Sequence, residues 1–535
     1  MTIPPRSDFM RRVTTPWLVV TLTALATAQT RPAATGPDLR PRLAVVGFES
    51  VPGADERDAW IPVAVEEVLA RRLRYVPGLI VAPSVRLYPA RQELADPTAP
   101  PPTWEQVARG LGLHYQVSGT CAGHDAAVTL HLTVRRLDQD GATARETQIP
   151  TQRLFDALDA ATRWILAQFD VAALEPALAE RVLAPPARSA TALEYHARAL
   201  LATRADNPRD ALRYATQAVH HDAAFRPALA VLAQAELQLG PSGRGAAARR
   251  LRALSELATR ENDWHDRIRA EISLALFSQA DGVFDAAYTR AANALTWAFE
   301  QRDLYGQFAA LTAIADAFLL RPAPTGAGLP DAALERFARQ NLREAAEWQA
   351  ALVEQLEQYG DLIAAMPALN KLGLIYERLD QPDDASRVHR RTLELAERLG
   401  SRRHQATAWL YLGQWYRRLQ RWPDALDATT RCLALADESA QPAVRIALGG
   451  IYQAMELHEE ALAQFERAYE QVRRDEDLMT QFTCLREIAT ARMKLGRRDK
   501  ALLALQEAID LAHVLELRDE KLLREELERW KRGDG

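Results

Sequence analysis

Trp409-Leu-Tyr-Leu-Gly413-Gln-Trp-Tyr416, closed by Trp422-Pro-Asp-Ala425, is the stretch on which the reading of this chain turns. It holds a glycine, an aromatic residue three positions later, and an alanine twelve positions after the glycine. The same spacing recurs on both sides, as Gly373, Tyr376 and Ala385, and as Gly449, Tyr452 and Ala461. A fourth copy has Ala489 and Ala501, with Arg492 in the aromatic position. The small residues step by 40, 36 and 40 positions. Self-similarity at a period of roughly 20–50 residues marks stacked supersecondary units rather than one compact core. Each copy reads as two helices. The small residue lets them approach, the aromatic fills the gap beside that contact, and the second alanine packs the return helix. One pair cannot bury its apolar stripe alone, so several must stack.

The phase runs backwards from here. Ile314-Ala315, Leu274-Ala275 with Ala287, and Ala199 with Ala211 keep the pattern more loosely, and Asp331 to Tyr359 reads as one long helix after a Pro- and Gly-rich insertion at 321–330. At the far end, 516–535 is densely charged, which suits a terminal cap with a polar outer face. Upstream the period changes. Leu43 to Phe48 and Leu79 to Ala82 read as buried strands, with a helix at 57–74 between them. Thr103 is placed as the N-cap of a short helix to Leu111. Tyr115–Thr120, Val128–Val134 and Thr143–Ile149 read as a meander with a turn at Asp138–Gly141, before a helix from Leu154 to Val171. The fold expected is a small α/β domain followed by an all-α solenoid of antiparallel helix pairs. Its parts are a signal segment (1–28), a linker (29–40), the α/β domain (41–175), a linker (176–190), degenerate repeats (191–360), four regular repeats (361–515) and a capping helix (516–535).

The first 28 residues carry Arg6, Arg11 and Arg12, an apolar run from Trp17 to Ala26, and Ala26-Thr27-Ala28 as a small-x-small cleavage site. The expectation is an exported chain, periplasmic or secreted. A net charge of -5 supplies no global basic field for nucleic acid. Three cysteines, Cys121, Cys432 and Cys484, are too few for a disulfide framework or a zinc cage and read as small buried hydrophobes. No His-Glu-x-x-His pair and no Gly-x-Ser-x-Gly elbow occurs, and the glycines at 240, 243 and 245 lack the Gly-Lys-Ser/Thr ending of a phosphate loop. No enzyme activity, cofactor or metal is expected.

The four regular copies resemble the tetratricopeptide repeat family, although most units are longer than that family's usual repeat and lack its closing proline. Residues 41–175 resemble the TolB-like amino-terminal domain of bacterial envelope and signalling proteins. That likeness is carried by Ala44-Val-Val-Gly-Phe48-Glu49, Glu66-Glu67-Val-Leu-Ala-Arg-Arg-Leu73 and Val107-Ala-Arg-Gly-Leu-Gly112-Leu-His-Tyr115-Gln-Val-Ser-Gly119, with Gly47 where that family often carries proline. The first resemblance implies a groove lined by the first helix of each pair. Its positions fall on Asn370, Glu377, Arg378, Gln414, Arg417, Arg418, Gln453, Arg486, Thr490 and Lys494. This set is polar with a basic bias. Arginine forks onto carboxylates, so the partner implied is a protein or peptide that is acidic or offers its C-terminal carboxylate. Trp415 reads as core rather than as a ligand anchor. The function expected is an exported, non-enzymatic scaffold. The alternatives are a signal-sensing regulator or a structural envelope component acting as a homo-oligomer.

Overall fold

A computed structural model describes residues 38–96, 99–124, 127–137, 144–169, 171, 174–323, 330–474 and 477–532. The signal segment, most of the 29–40 linker and the Asp138–Gly141 turn lie outside these residues. The described chain forms two compact units: residues up to 88 with 112–359, and 89–111 with 360 onwards.

The first unit opens with a five-stranded sheet in the order β2-β1-β3-β4-β5. Its strands are β1 (Arg42–Ser50), β2 (Ile80–Val81), β3 (Tyr115–His124), β4 (Ala127–Arg136) and β5 (Ala144–Arg153). β1 runs parallel to β2 and β3, while β3, β4 and β5 form an antiparallel meander. Helix α1 (Ile61–Arg74) connects β1 to β2, and α2 (Ser84–Leu94) and α3 (Trp104–Gly110) follow. Thr103 caps α3 in a capping box with Gln106, the N-terminus read from sequence. The register of β1 on β3 shifts between Val45 and Phe48, and Gly47 there has φ +80°. A proline ring fixes φ near −65°, so the backbone at this bulge excludes proline and favours glycine.

The rest of the first unit is α4 (Leu154–Ala167), α5 (Pro176–Leu183) and four helix pairs. The pairs are α6 (Ala190–Arg204) with α7 (Pro208–His221), α8 (Arg226–Gln238) with α9 (Arg244–Arg260), α10 (Trp264–Ala280) with α11 (Phe284–Glu300), and α12 (Leu304–Leu319) with α13 (Asp331–Tyr359). Sheet and first repeats share one apolar core. Leu43, Val65, Leu69, Leu130, Leu158 and Ile165 belong to the same buried cluster as Leu193, Ala197 and Phe225. The stretch read as a linker at 176–190 is part of that core, because α5 buries Val182 and the following turn buries Ala187. Asp222 pins this turn by accepting the Arg188 backbone N–H at 2.9 Å.

The second unit stacks α14 (Leu362–Arg378) with α15 (Pro382–Leu399), α16 (Arg402–Arg418) with α17 (Trp422–Leu435), α18 (Gln441–Ala454) with α19 (His458–Val472), and α20 (Leu478–Lys494) with α21 (Arg498–Val514), closed by α22 (Glu520–Arg532). In the unit's 89–111 segment, α3 packs Gly110 against Ile363 and Leu399. The repeat is written into the backbone as well as the side chains. Asp380, Gln420, Glu456 and Gly496, each seven residues after a small crossing residue, all take the left-handed conformation in the turn inside a pair.

One element of the sequence reading needs correction. The space beside each glycine is filled chiefly by the residue sixteen positions later, on the return helix, not by the aromatic three positions on. A Cβ at Gly373 would lie 2.9 Å from both ring nitrogens of His389, one at Gly413 2.5 Å from Thr429 Oγ1, and one at Gly449 2.7 Å from Cδ1 and Cζ of Phe465. The three tyrosines (376, 416, 452) are only half-buried.

Candidate functional site

In the second unit, successive first helices (α14, α16, α18, α20) contact one another and form a continuous layer. Residues at i, i+4 and i+7 share one face of a helix. On α16 this stripe is Leu410, Gln414, Arg417 and Arg418, and the last three are exposed. On α14 it is Asn370, Leu374, Glu377 and Arg378, with Leu374 and Arg378 exposed. On α18 it is Ile446, Gly450, Gln453 and Ala454, and a Cβ on Gly450 would meet nothing within 4 Å. On α20 it is Arg486, Thr490 and Lys494, with Lys494 exposed and the other two half-buried.

Two of the expected residues are buried beneath this face. Asn370 is 9% exposed and Glu377 7%. Glu377 is the centre of a small polar cluster. One carboxylate oxygen lies 2.8 Å from Nε2 of His389, and the other accepts from Arg418 Nη1 at 2.6 Å. His389 is fully buried, stacks on Tyr411, and leaves Nδ1 without a hydrogen-bond partner. A bare Nδ1 suits the neutral ring whose Nε2–H donates to Glu377, because a protonated ring would bury an unsatisfied N–H. Trp415 is 4% exposed, and its Nε1 donates to Ser386 Oγ at 2.8 Å, so it belongs to the core. On α20, Arg486 pairs with Glu487 at 3.1 Å, and Thr490 Oγ1 donates to the Arg486 carbonyl. Arg378, Arg417 and Lys494 have no ion-pair partner among the described residues.

The first unit uses the corresponding face differently, for its own helix α1. Arg204 of α6 pairs with Glu66 at 2.7 Å. Arg71 reaches Asp266 at 2.5 Å and Asp263 at 3.2 Å, at the start of α10. Arg226 joins the same two aspartates at 3.0 and 2.8 Å. The Tyr75 hydroxyl donates to Asp263. Burial raises the Asp266 carboxyl, but Arg71 and Arg226 outweigh it and hold it well below the usual range. Burial pushes Tyr75 up, and the aspartates push it further. This seat has no local signal in the sequence, since Arg71 and Asp263 lie 192 residues apart. His389 has no signal of its own in the sequence, because the equivalent positions carry Thr429 and Phe465.

Among the described residues no cluster of histidine, cysteine or acidic side chains could hold a metal ion. All three cysteines are free and buried, and burial pushes their thiols up to about 12, 11 and 12 for Cys121, Cys432 and Cys484. No helix among the described residues is long and apolar enough to cross a membrane.

A family model described as tetratricopeptide repeat matches residues 363–438 and 441–512. The regular helix pairs are tetratricopeptide repeats. Their match leaves residues 41–175 outside it. Solved structures with similar folds include a signal-transduction ATPase with a tetratricopeptide repeat sensor from Pyrococcus horikoshii, at 14% identity and TM-score 0.47, covering 70% of this chain and 55% of that one. Another is BtubC from P. vanneervenii, at 20% identity and TM-score 0.34, covering 43% and 91%. A third is a tetratricopeptide repeat protein from Parabacteroides merdae, at 13% identity and TM-score 0.27, covering 53% and 98%. The chain thus spans about half the length of the first of these. No curated protein sequence matches the chain.

Proposed function

We propose that this protein is a non-enzymatic scaffold that binds a carboxylate-bearing segment of another protein on the first-helix face of its four tetratricopeptide repeats. The observation that carries the reading is the set of cations on that face. Arg378, Arg417 and Lys494 are exposed on three of the four first helices, α14, α16 and α20, without acidic partners among the described residues. Arg417 and Arg378 are free to fork onto a carboxylate. Arg418 is presented from below by Glu377. Gln414, Gln453, Arg486 and Thr490 complete the proposed face, with Asn370 buried beneath it. In this reading residues 41–175 are a TolB-like accessory module, supported by the strand and helix motifs quoted above, and residues 1–28 direct export to the periplasm or beyond.

The test is positional. A photo-crosslinking residue at Gln414, on the first-helix face, should capture a partner from envelope extract, and the same residue at Thr430 on a second helix should not. Arg378→Glu with Arg417→Glu should abolish the capture. Equal capture from both positions, or capture indifferent to the charge reversal, would overturn the assignment. Arg418 is left intact here, because a glutamate in its place would face Glu377.

A further inference from the structure

We infer that the first unit holds a second binding site, a cleft for a small anion that carries an apolar or aromatic body. The cleft lies where α1, α4, the turn between α5 and α6, and the start of α8 meet, and it encloses about 750 Å³. Small-molecule sites span roughly 300–1,000 Å³ and favour the junctions between domains. This one is separate from the repeat face proposed above and does not depend on it. Ala184-Pro185-Pro186, read from sequence as part of a linker, forms one wall. That wall is fixed in place. Two proline rings restrict its backbone. Arg72 of α1 donates to the Leu183 carbonyl at 3.3 Å and to the Ala184 carbonyl at 3.4 Å. Asp222 holds the Arg188 N–H beyond the prolines. Arg181 ties α5 to the end of α9 through the carbonyls of Glu261 and Asn262. Exposed Ala184 and Pro185, with half-buried Phe155, Pro186 and Pro227, give the cleft apolar surface. A cleft already formed in this way needs little ordering when a ligand enters.

The charges of the lining select an anion. Each acid in it is committed. Asp263 accepts from Arg71, Arg226 and Tyr75. Asp222 accepts the backbone N–H groups of Arg188 at 2.9 Å and Ala224 at 3.1 Å. Glu261 pairs with Arg226. Arg71, Arg72 and Arg226 are likewise neutralised, by Asp266, Asp159 and Asp263. Two arginines at the rim are left. Arg181 is exposed, has no ion-pair partner among the described residues, and uses Nη2 for both of its hydrogen bonds. The Arg188 side chain is 80% exposed, and the carboxylate it meets, Asp222, stands 3.8 Å away. A cationic ligand would find no free carboxylate in the cleft. An anion finds two guanidinium forks at the mouth and apolar surface for its body between them. Carboxylates and phosphates share this chemistry, and the experiment separates them.

The experiment titrates the full chain with anilinonaphthalene sulfonate, an aromatic anion whose fluorescence rises in apolar surroundings. Ala184→Trp fills the cleft and should abolish one equivalent of binding. Dye held elsewhere on the chain survives this change and is subtracted. Arg181→Gln with Arg188→Gln should weaken that equivalent about tenfold or more, the scale of one charge-assisted hydrogen bond. Phenylnaphthylamine, the same rings without the sulfonate, should bind there at least about tenfold more weakly. Naphthoate and naphthyl phosphate then compete with the dye, and the one that displaces it at lower concentration names the head group. All three substituted side chains are exposed, and circular dichroism checks that the variants keep their fold. If Ala184→Trp leaves dye binding unchanged, the cleft is refuted as a site. Equal binding of the neutral compound, or indifference to the loss of both arginines, refutes the anion. No dye binding at millimolar concentration, or no displacement by either competitor, also overturns the inference.

Discussion

Gly449 and Gly450 are neighbours in the middle of α18, and replacing each by alanine should move stability in opposite directions. Glycine inside a helix is less favourable than alanine by roughly 0.5–1 kcal/mol, so on propensity alone both changes should stabilise. The surroundings decide otherwise at one of them. A Cβ on Gly450 meets open space, so Gly450→Ala keeps the full gain. A Cβ on Gly449 would lie 2.7 Å from two atoms of the Phe465 ring and nearer still to a third, and Phe465 is fully buried. The ring cannot swing away without displacing Ala461, Ala468 and the rest of its cluster. Overpacking of this kind costs about 1–3 kcal/mol, which outweighs the propensity gain. Gly449→Ala should therefore lose up to about 2 kcal/mol net, and because the propensity gain is common to both, the two alanine variants should differ by the overpacking cost, about 1–3 kcal/mol. Urea denaturation of the full chain, followed by circular dichroism, reads this as shifts of midpoint in opposite senses. Adding Phe465→Leu to Gly449→Ala should recover part of the loss, although Phe465→Leu alone destabilises. If both alanine variants shift the midpoint equally, then α18 and α19 are not spaced by this contact.

Other consequences follow from the buried charges and strained turns. Burial lowers the His196 ring to about 4 from its ordinary value of 6.5, with both nitrogens unpartnered. The unfolded chain then binds more protons between pH 6.5 and 4, so the first unit should lose roughly 3 kcal/mol as the pH falls through that window. His196→Phe should flatten that dependence, and an unchanged slope in pH-dependent thermal unfolding would refute the assignment. Asp263→Ala strips Arg71, Arg226 and Tyr75 of a shared acceptor and should cost about 3–5 kcal/mol, read as early melting of the first unit. Gln420→Gly and Glu456→Gly relieve left-handed residues and should each raise the urea midpoint by the equivalent of about 1 kcal/mol. With thiols raised by burial, none of the three cysteines should react with Ellman's reagent at pH 8 until denaturant is added.

The solenoid was legible because its signal is local and repeated. Spacings of three and twelve residues lie within one helix pair, the first recurring three times and the second four. The partner of each glycine was missed because it lies one helix away, and its identity varies from His389 to Thr429 to Phe465. Any residue that fills the gap satisfies the packing, so no fixed letter marks the position. The strands of the sheet were legible from apolar runs and alternation, but α2 was not. Its sequence, Ser84 to Leu94, contains Pro89 and has no clear apolar stripe. The exposed part of the candidate face was legible by its place in the repeat, whereas the burial of Asn370 and Glu377 was not. At the same repeat positions the neighbouring helices carry Leu410 and Arg417, and only the packed structure separates a floor residue from a surface one.

The weakness of the repeat signal across 191–360 has a physical cause in the seat of α1. In the regular repeats much of the first-helix face is exposed, at Leu374, Arg378, Gln414, Arg417 and Lys494. In the first unit that face must also bury a helix. Leu193 and Ala197 of α6 therefore serve the core shared with the sheet, and His196 lies against Phe225, 2% exposed. Arg204 is committed to Glu66 and Asp266 to Arg71, whereas Asp263 also keeps the repeat's own place as N-cap of α10, as Asp361 does for α14. Arg204 and Asp266 follow the chemistry of α1 instead of the repeat, which blurs self-similarity without changing the helix-pair architecture. Reversing the charges on both sides gives a direct check. Glu66→Arg or Arg204→Glu alone leaves like charges facing each other in a buried site and should destabilise the first unit by several kcal/mol. The double exchange restores an opposite pair and should recover much of the loss. No recovery in the double variant would mean that the seat is held by its apolar contacts alone.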